Sequence, residues 1–254
     1  MLTRFQLLDR PGIVHFQTKR FGGVSEGPYS SLNTSFAVGD SYDNVMRNRK
    51  LIAEEIGIDI SQFVFCRQIH SNGVHYVDQS DVGRGVDYRL HDIVQDTDAL
   101  ITDISNVVLC IKTADCLPLF LYAPEKRVVG IAHIGWRGAV AQLPINTINS
   151  MQEKYGVDCS KLLAVVGVGC GKCCYEVSEE VTNYFPPEFY KETHGGKLYL
   201  DLKEFVKTQL KTCGLTDGHI EISPTCSICN SDEYFSSRAQ NGIVGYGLSG
   251  IALL

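Results

Sequence analysis

DALITDISNVVLCIKTADCLPLFLYAPEKRVVGIAHIGW, residues 98–136, decides how this chain folds. Four β-prone segments crowd into it, at 98–103, 107–113, 117–122 and 128–134, with short breaks between them. Such breaks leave no room for the crossover helix that joins neighbouring parallel strands. A run of strands followed by irregularly spaced helices reads as α+β with mixed sheets, not as a regular βαβ winding.

Outward from this run the pattern changes. Residues 41–56 read as a helix, with Asp40 or Ser41 as cap, Val45, Arg49, Ile52 and Ile56 on one face, and Gly57 as the left-handed stop. Residues 63–70 and 74–78 read as strands around a hairpin-like turn at Ser71-Asn72-Gly73. Residues 138–155 read as a helix bent by Pro144, LLAVVGVG at 162–169 as a buried strand, and 175–185 and 202–213 as helices. The last of these carries Asp201 and Glu204 at capping-box spacing. Segments 219–222 and 243–253 read as closing strands.

The chain has 254 residues, no repeat and no linker-like tract, so one domain is expected over residues 1–254, with layered mixed sheets and outer helices. A domain of this size buries about 70–75% of its unfolded surface and needs no staple to have a core. With 44% hydrophobic and 20% charged residues, disorder and coiled coil are excluded as dominant states. Lys and Arg number 23 against 29 Asp and Glu, a net charge of −6. That argues against nucleic acid as a partner but leaves room for one basic pocket. Arg4, Asp9 and Arg10 interrupt any apolar run at the start, and nothing approaches the ~20 apolar residues of a membrane span. A cytoplasmic protein without a membrane partner is expected.

Ten cysteines without a secretion signal read as reduced thiols. Cys66 and Cys110 sit in apolar runs, where free cysteine packs as a small hydrophobe. Two C-x-x-C pairs, Cys170–Cys173 and Cys226–Cys229, could supply four zinc ligands. The 52 residues between Cys173 and Cys226 exceed the ~15–20 of a compact ribbon, and the adjacent Cys173–Cys174 pair is awkward for ligation. These thiols are therefore expected to be structural.

Three residues stand out at or near strand ends: His70 after FVFCRQI, Cys116 after VVLCIKTAD, and His133 in VVGIAHIGW. Two imidazoles and a thiolate suit Zn2+ or a copper ion, and three protein ligands leave a fourth position open for catalysis. Their spacings match no compact zinc motif, so other readings stay open. Each could be a packed or hydrogen-bonded residue, and Cys116 with His133 could be the nucleophile and base of a Cys-His hydrolase. Arg20, close to Gly22-Gly23, and Arg137, in GWRG after His133, are candidate anion binders. Gly167, Gly169 and Gly171 lack the G-x-G-x-x-G spacing of a dinucleotide site. A tight turn explains them.

RFGGVS, SLN, QIHSNGV, DALIT, TADCLPLFLY, AHIGWRG, CCYEV and YFSSR follow one another from near the start to near the end. In this order they resemble the YfiH-like, laccase-domain family, labelled first as polyphenol oxidases and later as purine nucleoside phosphorylases. The resemblance runs from about residue 12 to the C-terminus. It implies a single α+β domain and a metal site at His70, Cys116 and His133. It also implies phosphorolysis of adenosine, inosine and methylthioadenosine, with adenosine deaminase as a second activity. The partners would then be a small-molecule nucleoside and phosphate, with Arg20 and Arg137 as candidates to bind the phosphate and Asp115 as a candidate proton carrier. The alternative within the resemblance is a copper-dependent polyphenol oxidoreductase. A multicopper centre needs many His ligands, and this chain has seven His and no H-x-H. Two departures stand out. The loop before YEV reads GVGCG at 167–171, and AQNGIVGYGLSG at 239–250 lacks the family's T-G-R.

Overall fold

The computed structural model describes residues 1–90 and 92–254. Two sheets dominate it. One has five strands in the order Leu2–Thr3, Ile13–Thr18, Gly247–Leu253, Val108–Thr113 and Phe63–Phe65. The other has six, in the order Ile220–Ile222, Leu163–Val166, Leu117–Ala123, Val128–Ile134, Ala99–Thr102 and Val74–Tyr76. Three edge pairings are parallel (Phe63–Phe65 on Val108–Thr113, Val74–Tyr76 on Ala99–Thr102, Ile220–Ile222 on Leu163–Val166), and the remaining pairings are antiparallel. A third, small sheet joins Glu176–Val177, Leu198–Leu200 and Tyr190–Glu192. The sheets are mixed: pairings within the crowded run are antiparallel, and the parallel ones come from edge strands outside it.

Side-chain alternation explains the layering. Along Leu117–Ala123, Leu117, Leu119 and Leu121 face one core while Phe120 and Tyr122 face another. Along Val108–Thr113, Val108 and Cys110 turn one way, and Leu109 and Ile111 the other. The shared core between the two sheets takes Leu109, Ile111 and Ile251 from one and Phe120, Ile131 and Val165 from the other. Helices Leu143–Tyr155 and Leu202–Thr212 cover the outer face of the six-stranded sheet through Ile148, Met151, Val206 and Leu210. Helix Tyr42–Ile56 covers the outer face of the five-stranded sheet through Ile52 and Ala53. Central strands therefore bury both faces and read as unbroken apolar runs. Each fully buried Leu, Ile or Phe contributes about 1.5–3 kcal/mol.

The helix ends follow local chemistry. Ser41 caps Tyr42–Ile56 by accepting from the Asn44 amide, and Gly57 closes it at φ 70°. Asp201 caps Leu202–Thr212 by accepting from the Glu204 amide at 3.1 Å. The helix expected over 138–155 is two helices, Trp136–Val140 and Leu143–Tyr155, broken at Gln142, with Pro144 in the first turn of the second. Proline is accommodated there because the first-turn amides have no intrahelical partner anyway. Of the helix expected over 175–185, only Glu179–Thr182 forms, because Glu176–Val177 is drawn into the small sheet.

The hairpin expected around Ser71-Asn72-Gly73 does not form. Phe63–Phe65 and Val74–Tyr76 belong to different sheets, and the segment between them crosses from one to the other. His70 takes φ 60° in that crossing, and its neighbouring amides turn onto a buried carboxylate instead of a partner strand. No helix among the described residues is long and apolar enough to cross a membrane.

Candidate metal centre

The crossing at residues 69–71 is built on Asp98, which is fully buried just before strand Ala99–Thr102. Its Oδ2 accepts from the Ile69 amide at 3.1 Å, the Ser71 amide at 2.7 Å and Ser71 Oγ at 2.9 Å. Its Oδ1 accepts from the His70 amide at 3.1 Å and from His133 Nδ1 at 2.8 Å. One carboxylate thus fixes both histidines, His70 through its backbone and His133 through its ring. Burial alone would raise the Asp98 carboxyl, but the donors from His133 and Ser71 outweigh it and hold it at about 2.

With Nδ1 engaged, His133 presents Nε2 to the site. His133 comes from strand Val128–Ile134 and lies beside Pro118 of the neighbouring strand, so Cys116, two residues earlier, sits close by. Cys116 Sγ lies 3.9 Å from His70 Nε2, and the imidazole rings of His70 and His133 meet edge to face at 4.9 Å. The three donor atoms all fall within 4.8 Å of one another. Tetrahedral zinc with these ligands needs N···S separations of about 3.5 Å, so small side-chain rotations close the site. The adjoining backbone leaves space for it. A Cβ on Gly135 would stand 2.8 Å from His70 Cδ2 and 3.3 Å from Cys116 Sγ. The donor set and its geometry fit a metal ion.

The electrostatics agree. Burial pushes the Cys116 thiol up, but His133 and His70 outweigh it and bring it down to about 6. Burial likewise works to lower His133, while Cys116 and Asp98 raise it to about 9. A thiolate is therefore ready at neutral pH, which is the form that ligates metal or attacks carbon.

The cluster opens on a cavity of about 730 Å3, within the usual size range of a small-molecule site. Four cations line it with the candidate ligands: Arg49, held by the carbonyls of Thr34, Gly85 and Val86, and Arg67, Lys112 and Arg238. Lys112 comes from strand Val108–Thr113, and burial together with nearby Arg49 lowers its ammonium to about 8. The Arg238 guanidinium donates to the Glu176 carbonyl at 2.7 Å and lies 5.2 Å from the Tyr175 ring centre. Tyr88, Tyr175, Tyr246 and Phe36 supply aromatic wall.

The other residues singled out from sequence have different positions. Asp115 lines the cavity, but both carboxylate oxygens are engaged, by Ser227 Oγ at 2.7 Å and the Arg238 amide at 2.8 Å. This fastens the Arg238 loop to the sheet. Arg20 does not line the cavity. Its guanidinium donates to the carbonyls of Ser30 and Ser231 and to Gln240 Oε1, and it stacks 4.9 Å from the Phe235 ring. Arg137 is exposed on helix Trp136–Val140 and lies over Trp136 at 4.3 Å, also outside the cavity lining. The turn after His133 places it on the outer surface, because Trp136 begins a helix. The close packing of the 167–171 loop is also evident: a Cβ on Gly169 would stand 2.7 Å from the Asp115 carbonyl.

Asp98, Lys112 and Arg238 were not singled out from sequence. Asp98 and Arg238 stand in DALIT and YFSSR, and Lys112 is a lone charge in the apolar run VVLCIK. That isolated charge was the available signal.

Over residues 14–254 the chain matches the family described as multi-copper polyphenol oxidoreductase laccase. It is similar to the purine nucleoside phosphorylase YlmD of Geobacillus stearothermophilus, 34% identical over 242 residues that cover 92% of this chain and 88% of that protein. A crystal structure of YlmD from Geobacillus stearothermophilus matches this fold with a TM-score of 0.91, covering 96% of this chain and 92% of that one. The hypothetical protein YfiH of Bacillus licheniformis does so at 0.91 with 32% identity, covering 97% and 98%. A protein named as an adenosine deaminase, from an unknown prokaryotic organism, is 28% identical over 234 residues covering 89% of this chain and 88% of that protein. By its family match and its near full-length relatives, this chain belongs to the multi-copper polyphenol oxidoreductase laccase family.

Proposed function

We propose that this protein is a metal-dependent purine nucleoside phosphorylase, acting on adenosine, inosine and methylthioadenosine, with adenosine deamination as a second activity. One observation carries the reading: a single cavity of nucleoside size joins a three-donor cluster to the cations Arg67, Lys112 and Arg238. The names of the phosphorylase and deaminase relatives support it.

His70, Cys116 and His133 would hold the ion, zinc by preference, and Asp98 would keep the His133 ring in the ligating tautomer. Such an ion supplies Lewis-acid polarisation and acidifies water. In phosphorolysis a phosphate oxygen forms a bond to ribose C1′, the C1′–N9 bond breaks, and the purine leaves with its electron pair and takes up a proton. Lys112, Arg238 and Arg67 are the residues suited to hold the dianion, replacing Arg20 and Arg137 in that role. The aromatic side chains offer faces for the base. Deamination replaces the 6-amino group with water's oxygen and releases ammonia. Asp115 acts here by positioning the Arg238 loop rather than by carrying the proton. The free state of all ten cysteines fits a cytoplasmic setting.

Purified protein incubated with inosine should release hypoxanthine and ribose 1-phosphate only when phosphate is present. Ribose release independent of phosphate would reject phosphorolysis. Copper in the same three donors is the alternative that gives polyphenol oxidation. Among the described residues, however, only one candidate metal cluster contains histidine, too few ligands for a multicopper centre. A second reading rests on the Asp98–His133–Cys116 chain, which has the order of a Cys-His hydrolase. Activity retained after metal removal and abolished by Cys116 alkylation would select it.

A further inference from the structure

The loops flanking the cavity contain a second cluster of metal-ligating side chains. Cys173 and Cys174 lie in the turn before Tyr175, Cys226 and Cys229 in the turn that follows Thr225, and the four sulfurs fall within 4.8 Å of one another. We propose that Cys173, Cys174, Cys226 and Cys229 hold a structural thiophilic metal ion, zinc by preference, separate from the His-Cys-His centre. This proposal does not depend on the phosphorylase reading.

Distance comes first. Cys229 Sγ lies 3.5 Å from Cys173 Sγ and 3.1 Å from Cys174 Sγ. Sulfurs around one tetrahedral zinc, with Zn–S of about 2.3 Å, stand roughly 3.8 Å apart. These two separations are a few tenths of an ångström shorter than that value, and all four sulfurs stay within 4.8 Å of one another, so small side-chain rotations would admit the ion. The C-x-x-C spacing that pairs Cys170 with Cys173 in the sequence does not carry over to the fold, where Cys170 lies outside the cluster. Cys170 is buried among core residues, and Cys174, next to Cys173, completes the set, because a tight turn from Gly171 brings these two adjacent thiols to one side. The separation that argued against a compact ribbon is bridged by the fold, since Gly169 and Cys226 pair across the two segments.

The surroundings of Cys226 suit a thiolate, whereas desolvation at Cys173 and the Cys229 sulfur beside Cys174 push those two thiols up. The Gly171 amide donates to Cys226 Sγ at 3.2 Å, and the amides of Cys229 and Ile228 are turned toward the same sulfur. The Lys203 ammonium, largely buried and close to Cys226 and Cys173, donates to the Ser223 and Thr225 carbonyls, and it has no carboxylate partner within 4.0 Å among the described residues. A tetrathiolate zinc centre carries two negative charges, which this cation would partly balance.

The fold also has a use for such a staple. Residues 223–246 contain no helix or strand, longer than structureless loops in compact domains usually run. This stretch carries Ser227, which donates to Asp115, and Arg238, which lines the cavity. The facing loop carries Tyr175. An ion shared by the two loops would hold one wall of the cavity in place.

The test uses the full chain loaded with cobalt. In a His70→Ala/Cys116→Ser variant, one cobalt per chain should remain, with the intense visible d–d and thiolate charge-transfer bands of a tetrahedral tetrathiolate. Cys174→Ser/Cys229→Ser should lose those bands, and in zinc-loaded protein it should bind one equivalent fewer than wild type. A His70→Ala/Cys116→Ser protein that binds no cobalt, or only pale octahedral cobalt, overturns the proposal. So does a Cys174–Cys229 disulfide found by mass analysis of protein purified without oxidant. If Cys174→Ser/Cys229→Ser does not fold, the spectrum of the first variant decides.

Discussion

Asp98 and His133 are joined by a 2.8 Å hydrogen bond from ring to carboxylate, and the same carboxylate gathers the amides of Ile69, His70 and Ser71. Asp98 is therefore the residue through which two strand ends in one sheet and a crossing segment become a single site. Asp98→Asn keeps the shape and removes the charge. It should weaken metal binding about 10–100-fold, the usual cost of losing such a support. Competition with a chromophoric chelator measures this. Unchanged affinity would show that Asp98 only holds the backbone.

The metal-free protein should show a reactive Cys116. Its thiol is depressed to about 6 by His133 and His70, so the thiolate predominates above that pH and is lost as pH falls through it. The stability that this depressed group contributes disappears in the same direction. Alkylation by iodoacetamide should follow an apparent pKa near 6 in chelator-treated wild type, and shift upward by at least one unit in His133→Gln. Metal should suppress the reaction. A titration at the ordinary thiol value of about 8.5 would contradict the arrangement.

Phosphate should be sensed by Lys112 and Arg238, not by Arg137. Losing a charge-assisted contact in a shielded cavity costs about 2–4 kcal/mol, roughly 30- to 1000-fold in rate. Lys112→Met and Arg238→Ala should lose phosphorolysis on that scale, with a smaller effect on deamination of adenosine. Arg137→Ala, on the outer surface, should change either rate less than threefold. Steady-state rates for both reactions in the three variants decide it, and a large Arg137 effect would place the anion contact at Arg137 instead. Burial and the nearby Arg49 lower the Lys112 ammonium to about 8, so its contribution to anion binding should weaken as pH rises through that value.

Gly135 should tolerate no side chain without loss of the ion. A Cβ there would stand 2.8 Å from His70 Cδ2 and must displace that ring. Gly135→Ala should fold but bind metal at least tenfold more weakly. Trp136, the single tryptophan, follows it directly and provides a fluorescence signal for titration. Wild-type affinity in Gly135→Ala would mean that His70 has another position when metal is bound.

Much of this molecule is written locally. The apolar runs at 107–113, 117–122 and 128–134 read as core strands, because, Lys112 apart, the residues on both faces must leave water. The caps at Ser41 and Asp201 and the stop at Gly57 act within a few residues of themselves, and the helices form where those signals stand. His70, Cys116 and His133 were recognisable as donors because each is a polar or soft residue beside an apolar run. What local pattern could not carry was partnership across the fold. Ser71-Asn72-Gly73 has turn composition, yet a carboxylate 27 residues beyond Ser71 takes its amide and sends the chain to the other sheet. Arg20 and Arg137 look like anion binders by neighbourhood, but the direction of a side chain depends on the surface its element presents. Lys112 reaches the cavity from inside a strand, and Arg238 does so from an irregular loop. Sequence alone determined which segments are buried and which residues can do chemistry, since those follow from composition over a few residues. Only the tertiary structure decided that Asp98 serves both histidines and that Cys174, not Cys170, joins Cys226 and Cys229, because contact between distant segments depends on how the sheets bring them together.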